Sequence, residues 1–191
     1  MLDPRILATN HAIIVYSTLE AIRDRNLCVK QEATAGKEEK KKEYGKGLRS
    51  RAREAPSLMA QSGIAGLLTF YASKAGADKF TKLAEYIRVV SSNARKMEDF
   101  KNNVLKNVEV FKNYLCEELK PGEARGYGLM LALIAYALKE YGLWKDSLDF
   151  VGLAQTSREM LENPAIDQAA QALLLEYLLH FKRMVEAIIT L

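Results

Sequence analysis

Apolar residues recur at intervals of three and four through most of this 191-residue chain. That spacing puts them on one face of an α-helix, whose period is 3.6 residues. The clearest run is Met97, Phe100, Val104, Val108, Phe111, Leu115 and Leu119, opposite a face of Lys, Asn and Glu, and it predicts one helix over 97–119. Leu7, His11, Ile14, Thr18, Ala21 and Ile22 form a second stripe, behind an N-capping Asp3 and a Pro4 at the first helical position. Phe80, Leu83, Ala84, Ile87 and Val90 follow Asp78. Val151, Ala154, Arg158 and Leu161 follow Asp146. Ile166, Ala170, Leu173, Tyr177, Phe181, Met184 and Ile188 line the last helix. The 126–141 stretch is apolar nearly all round, which fits a central helix stopped by Gly142. No stretch alternates with period two, and no strand pairs with hairpin turns occur. The expected fold is all-α: a compact bundle of about seven or eight helices in one domain, with 76–163 as additional helices and a candidate extra lobe.

The stretch 37–73 carries the charge. Lys42, Lys46, Arg49 and Arg53 are spaced 4, 3 and 4 and form a basic stripe. Tyr44, Leu48, Ala52, Ala55 and Met59 form an apolar stripe on the other side. Gly45 and Gly47 weaken the helix start, and Pro56 predicts a kink or restart near Ala55. Gly63 is a natural stop before a short apolar helix packed beneath the first. Residues 37–53 hold eight cations and three anions, an excess larger than the whole chain's +4. Such a local surplus attracts polyanions, although a run of charge can equally be a solvated helix face.

Other chemistry is sparse. Cys28 and Cys116 lie far apart, make no zinc or redox motif, and read as small buried hydrophobes. No P-loop, dinucleotide fingerprint, HExxH or GxSxG is present. With two histidines, metal sites and catalytic triads are disfavoured, so no catalytic residue, metal or cofactor is expected. Arg5 and His11 loosely match the Arg-to-His spacing of some helical ribonucleases, but on a straight helix they point about 120° apart. His180, at the edge of the last stripe, reads as a packing or capping residue. No leader or membrane span is evident, so a soluble cytoplasmic protein is expected.

The run Tyr44…Arg49…Ala52…Pro56-Ser57-Leu58-Met59…Gln61-Ser62-Gly63-Ile64…Leu67-Leu68-Thr69-Phe70…Ser73-Lys74, with Glu176-Tyr177-Leu178-Leu179-His180-Phe181-Lys182-Arg183-Met184-Val185-Glu186-Ala187 near the end, resembles the small (fifth) subunit of the type III-B CRISPR RNA-silencing (Cmr) complex. The resemblance covers about the first 75 and the last 30 residues. It implies a non-catalytic antiviral-defence subunit that stacks head to tail with copies of itself, joins other subunits of the effector complex, and lies along the duplex of guide RNA and target RNA. Lysines and arginines along a helix can follow a phosphate backbone without reading bases. Lys42, Lys46, Arg49 and Arg53 are the primary expected RNA contacts. Lys74, Lys182 and Arg183 are carried over from matching positions. The competing expectation is a helical adaptor with no nucleic-acid role.

Overall fold

The computed structural model describes residues 2–28, 44–122, 124–144 and 146–189. Lys42 and the 37–43 charged run lie outside them. The described residues form eight helices and no strand: α1 Pro4–Asp24, α2 Lys46–Ala75, α3 Ala77–Ser91, α4 Met97–Asn107, α5 Lys112–Leu119, α6 Tyr127–Glu140, α7 Phe150–Glu162 and α8 Pro164–Ile188. The all-helical bundle expected from the spacing is the fold observed. None of these helices is long and apolar enough to cross a membrane.

α1 begins as its sequence dictates. The Asp3 carboxylate accepts the Arg5 backbone N–H at 2.8 Å, and Pro4 occupies the first turn, where a missing N–H costs nothing. Leu7, His11, Ile14, Thr18, Ala21 and Ile22 are all buried. α8 runs beside α1 in the same direction: Arg5 pairs with Glu176 at 3.4 Å, and Thr9 meets His180 at 3.2 Å.

α6 is the hub. It packs on α2 and α3, and also touches α8. Ten of its residues, from Gly128 to Leu138, are buried. Each fully buried Leu or Ile there contributes roughly 1.5–3 kcal/mol. A carboxylate from another helix tends its N-terminus: Glu118 of α5, 3% exposed, accepts the N–H groups of Gly128 and Leu129 at 2.7 and 3.1 Å. The helix start supplies unpaired donors and a positive dipole end, so the acid suits this buried place. Lys79 completes the arrangement, 3.4 Å from the same side chain.

α2 is bent back on itself. Gly63 has φ 68° and ψ −176°, a combination that is essentially glycine-only. The Tyr71 hydroxyl donates to the Arg51 carbonyl at 2.8 Å, twenty residues earlier. On a straight helix those levels would stand about 30 Å apart. The expected stop at Gly63, with a second short helix packed on the first, is therefore observed. The kink expected at Pro56 is not: the backbone stays helical through it, with the proline ring buried in the core and Gly63 the sole non-helical residue inside α2. Gly45 and Gly47 also change meaning. A Cβ on Gly47 would lie 2.8 Å from the Arg125 carbonyl oxygen, and one on Gly126 2.5 Å from the Leu48 nitrogen. The starts of α2 and α6 touch backbone to backbone, and small residues permit it.

Three further expectations are corrected. The 97–119 stretch is two helices, α4 and α5, separated by a turn at 108–111; its apolar residues are buried, but Met97 is 67% exposed. Asp149, not Asp146, caps α7, accepting from Val151 and Gly152 at 2.9 Å. The buried face of α7 is Gly152, Leu153, Thr156 and Met160, while Val151 and Leu161 are 65% and 74% exposed. Gly152 decides this. A Cβ there would stand 2.0 Å from the Ser147 carbonyl oxygen, so only a glycine lets the first turn close on the preceding loop.

Cys28 and Cys116 are buried, as expected of small hydrophobes, but they are bonded to each other. Their Cα atoms lie 5.4 Å apart across a separation of 88 residues, within disulfide range. The bond ties the end of α1 to α5. Nearby, Gly45 N–H donates to the Leu119 carbonyl of the same short helix at 2.7 Å.

Candidate nucleic-acid interface

The basic stripe lies where α2 begins and α8 ends. Tyr44, Leu48, Ala52, Ala55 and Met59 are buried, so the opposite residues of this arm face outward. Lys46 is exposed. Arg53 is about half exposed and its Nε donates to Glu186 Oε1 at 2.6 Å. Arg49 is half-buried and its Nη1 donates to the Ile189 carbonyl at 3.0 Å, satisfying one of the orphan acceptors that end α8. Lys182 and Arg183 stand four and three residues before Glu186, on the same helix face. The Glu186 carboxyl is held below the usual carboxylate range by the Arg53 hydrogen bond, with the Arg53, Lys182 and Arg49 charges adding to it. Arg53, Lys182 and Arg49, from two helices, thus act on Glu186 beside the last turn of α8, with Lys46 one turn before Arg49 and Arg183 next to Lys182 in the chain. The stripe read along one helix is in fact a patch built across two.

Lys74 is exposed in the last turn of the second arm of α2. Because the arms fold back, it returns toward the level of the helix start, and no ion pair is found for it among the described residues. Arg51, between the stripe residues in sequence, turns inward instead. It is 8% exposed, its guanidinium lies 4.3 Å from the Tyr127 ring centre, and it bonds the Tyr127 hydroxyl and, at 2.9 Å, Glu54. Glu54 is held by Arg51, and among the described residues Glu186 is the acid that pairs with Arg53 of the patch.

The Arg5 and His11 pair does not form one surface. Arg5 is 63% exposed and paired with Asp3 and Glu176. His11 is 1% exposed, with Nδ1 2.7 Å from the Tyr177 hydroxyl. Burial pulls its pKa down to about 3, so it stays neutral. Among the described residues no group of three or more His, Cys, Asp or Glu side chains could hold a metal ion.

Sequence reasoning missed the part played by Glu186 and by the α8 terminus. Glu186 was visible four residues after Lys182, but nothing in the spacing shows that α2 crosses it. Comparison of the chain with protein-family models, with curated proteins and with solved structures finds no match.

Proposed function

We propose that this chain is a non-catalytic, RNA-contacting scaffold, a small structural subunit of a type III-B CRISPR effector complex working in the cytoplasm beside guide and target RNA. One observation carries the reading. The two segments that bear the resemblance, 44–74 and 176–187, meet at a single edge, and their cations pool there through Arg53–Glu186 and Arg49–Ile189. A patch of lysines and arginines on a rigid bundle suits phosphates and 2′-hydroxyls, which an A-form duplex exposes more than base edges. Binding would be independent of sequence and steeply salt-dependent. The buried disulfide is compatible with a cytoplasmic setting in hyperthermophiles, whose intracellular proteins carry such bonds.

A second reading has its own support. Arg53 is neutralised by Glu186, and Arg49 is engaged as a helix cap, so the edge also fits a helical adaptor with a solvated basic face. The test is reconstitution with the partner subunits and RNA retention against salt, comparing the wild type with a Lys46→Glu, Lys182→Glu, Arg183→Glu variant. The RNA reading expects the slope of log affinity against log salt to shrink by roughly 0.7–0.9 per lost phosphate contact. An unchanged slope in assembled complexes assigns the edge to the adaptor role. Failure to co-purify with any such complex removes the CRISPR assignment.

A further inference from the structure

The outer side of α8 is poor in charge. Between Ala165 and Ala187 its exposed residues carry two charges, Glu176 and Arg183; apart from Gln168, the others are alanines, Ile166, Leu175 and Leu179. A solvated helix face looks different. The exposed residues of α4 are Met97, Glu98, Lys101, Asn102 and Lys106, mostly charged or polar. An outward face as apolar as that of α8 is the kind a partner covers.

The order of residues along this face points to the partner. Ala172, Glu176, Leu179, Arg183 and Ala187 are spaced 4, 3, 4 and 4. On a 3.6-residue helix they fall within an arc of about 80°. Read from either end the pattern is alanine, charge, leucine, opposite charge, alanine. Let a second α8 lie antiparallel on the first, centred between Leu179 and His180. Glu176 then stands level with the partner's Arg183, Arg183 with the partner's Glu176, and Ala172 with the partner's Ala187. A parallel alignment would set each charge against its own kind. Charge complementarity therefore selects an antiparallel, self-complementary contact. The alanines let the two backbones approach, and Leu179, 40% exposed, meets the partner's Leu179 at the centre. The same two-fold turns α1 toward the partner's α1. Ile6, 52% exposed, shares a shallow recess with Thr9, Asn10 and His180, at the level of that centre, and widens the apolar contact.

We propose that a second copy of this chain covers the outer face of α8, forming a closed two-fold pair with an ion pair between Glu176 and Arg183 on each side of Leu179. Both groups are available. Glu176 is half exposed and 3.4 Å from Arg5, and no ion pair is found for Arg183 among the described residues. Such a pair differs from a head-to-tail stack, whose touching surfaces are unlike and whose growth does not close. It does not rest on the RNA reading, although a paired Arg183 is withheld from the basic edge. Exposed ion pairs contribute little each and one helix face is a small interface, so association is weak and concentration-dependent.

The experiment is sedimentation equilibrium of the full chain, without RNA, from about 1 μM to about 1 mM. The mass should rise from 21.5 kDa toward twice that value. Glu176→Arg and Arg183→Glu each set like charges level across the pair, and each alone should weaken association by about tenfold or more. Both sites are on the surface, so cooperative melts should be retained. Mixed in equal amounts, the two variants are complementary again, and the pair should return as a one-to-one heterodimer. Lys46→Glu, at the basic edge, should associate like the wild type. The proposal is overturned by a mass that stays at 21.5 kDa throughout, by single variants that associate like the wild type, by a mixture no heavier than its components, or by loss of association in Lys46→Glu. RNA plays no part in this readout, so its failure leaves the reading of the basic edge to its own salt test.

Discussion

The centre of the bundle and its basic edge obey different rules. Around α6, each residue has one task. Leu129 to Ile134 are at most 2% exposed, glycines stand where backbones touch, and Glu118 and Arg51 are fixed by named partners. At the edge between α2 and α8, each cation has two tasks open to it. Arg49 closes a helix and adds charge; Arg53 pairs with Glu186 and still leaves about half of its side chain to solvent. Packing over-determines the first region, whereas the second is governed by screened electrostatics, where an exposed pair contributes about 0–1 kcal/mol. Interior geometry therefore translates into stability, and edge geometry into the surface that the proposed RNA binding would use.

The largest effect that would sharpen this contrast concerns the link between α1 and α5. Replacing both Cys28 and Cys116 by Ser should lower unfolding stability by about 4–5 kcal/mol, from loop closure over some 88 residues. Denaturant midpoints of the variant and the oxidised wild type measure it. A loss below about 1 kcal/mol would mean that packing alone holds α5 in place.

The next test uses protons. His11 binds its proton with a pKa of about 3 when folded, against 6.5 as its ordinary value. The unfolded chain then binds more protons between these values, so stability is full above about pH 6.5 and falls as the solution is acidified. The slope is about 1.4 kcal/mol per pH unit, or roughly 2 kcal/mol between pH 6.5 and 5, above the main carboxylate range. Urea unfolding across that window should show the slope in wild type and not in His11→Phe. A flat wild-type profile would place His11 in a more solvated setting than the interior described.

Smaller effects belong to the edge. Arg49→Met should cost about 1 kcal/mol through the lost bond to the Ile189 carbonyl, with the salt slope of RNA retention changing little if capping is its main task. A slope that drops by a full contact would move Arg49 to the binding side. Smallest of all, Leu161→Glu should change stability by less than about 0.5 kcal/mol, because that side chain is 74% exposed. A cooperative loss would show that the exposed face of α7 is covered in solution.

Much of the interior was legible in the sequence, because burial and helical period are linked residue by residue. The α1 stripe, the α6 run and the apolar side of α2 are all buried where the spacing puts them. α7 was misread because it carries two candidate stripes, and the choice rests on Gly152 meeting a carbonyl of the previous loop. The break at 108–111 was hidden because the period survives through it, keeping Val108 and Phe111 on the inner side. Pro56 was read as a kink from local rules, which do not include the second arm of α2 packing back on the first. At the edge, the cations were legible as a stripe, but Glu186 and the α8 terminus come from across the fold. Cys28 and Cys116 failed for the same reason: sequence distance conceals spatial contact.

The reversal at Gly63 has a consequence for how copies of this chain can combine. One backbone angle keeps 64–75 docked on its own first arm rather than continuing outward as a rod. A β-branched residue at that point would favour the straight form, and the detached arm would then find its seat on a neighbouring molecule. A single substitution would in this way exchange a self-contained fold for an arm-swapped pair with the same interior, distinguishable by its mass in solution.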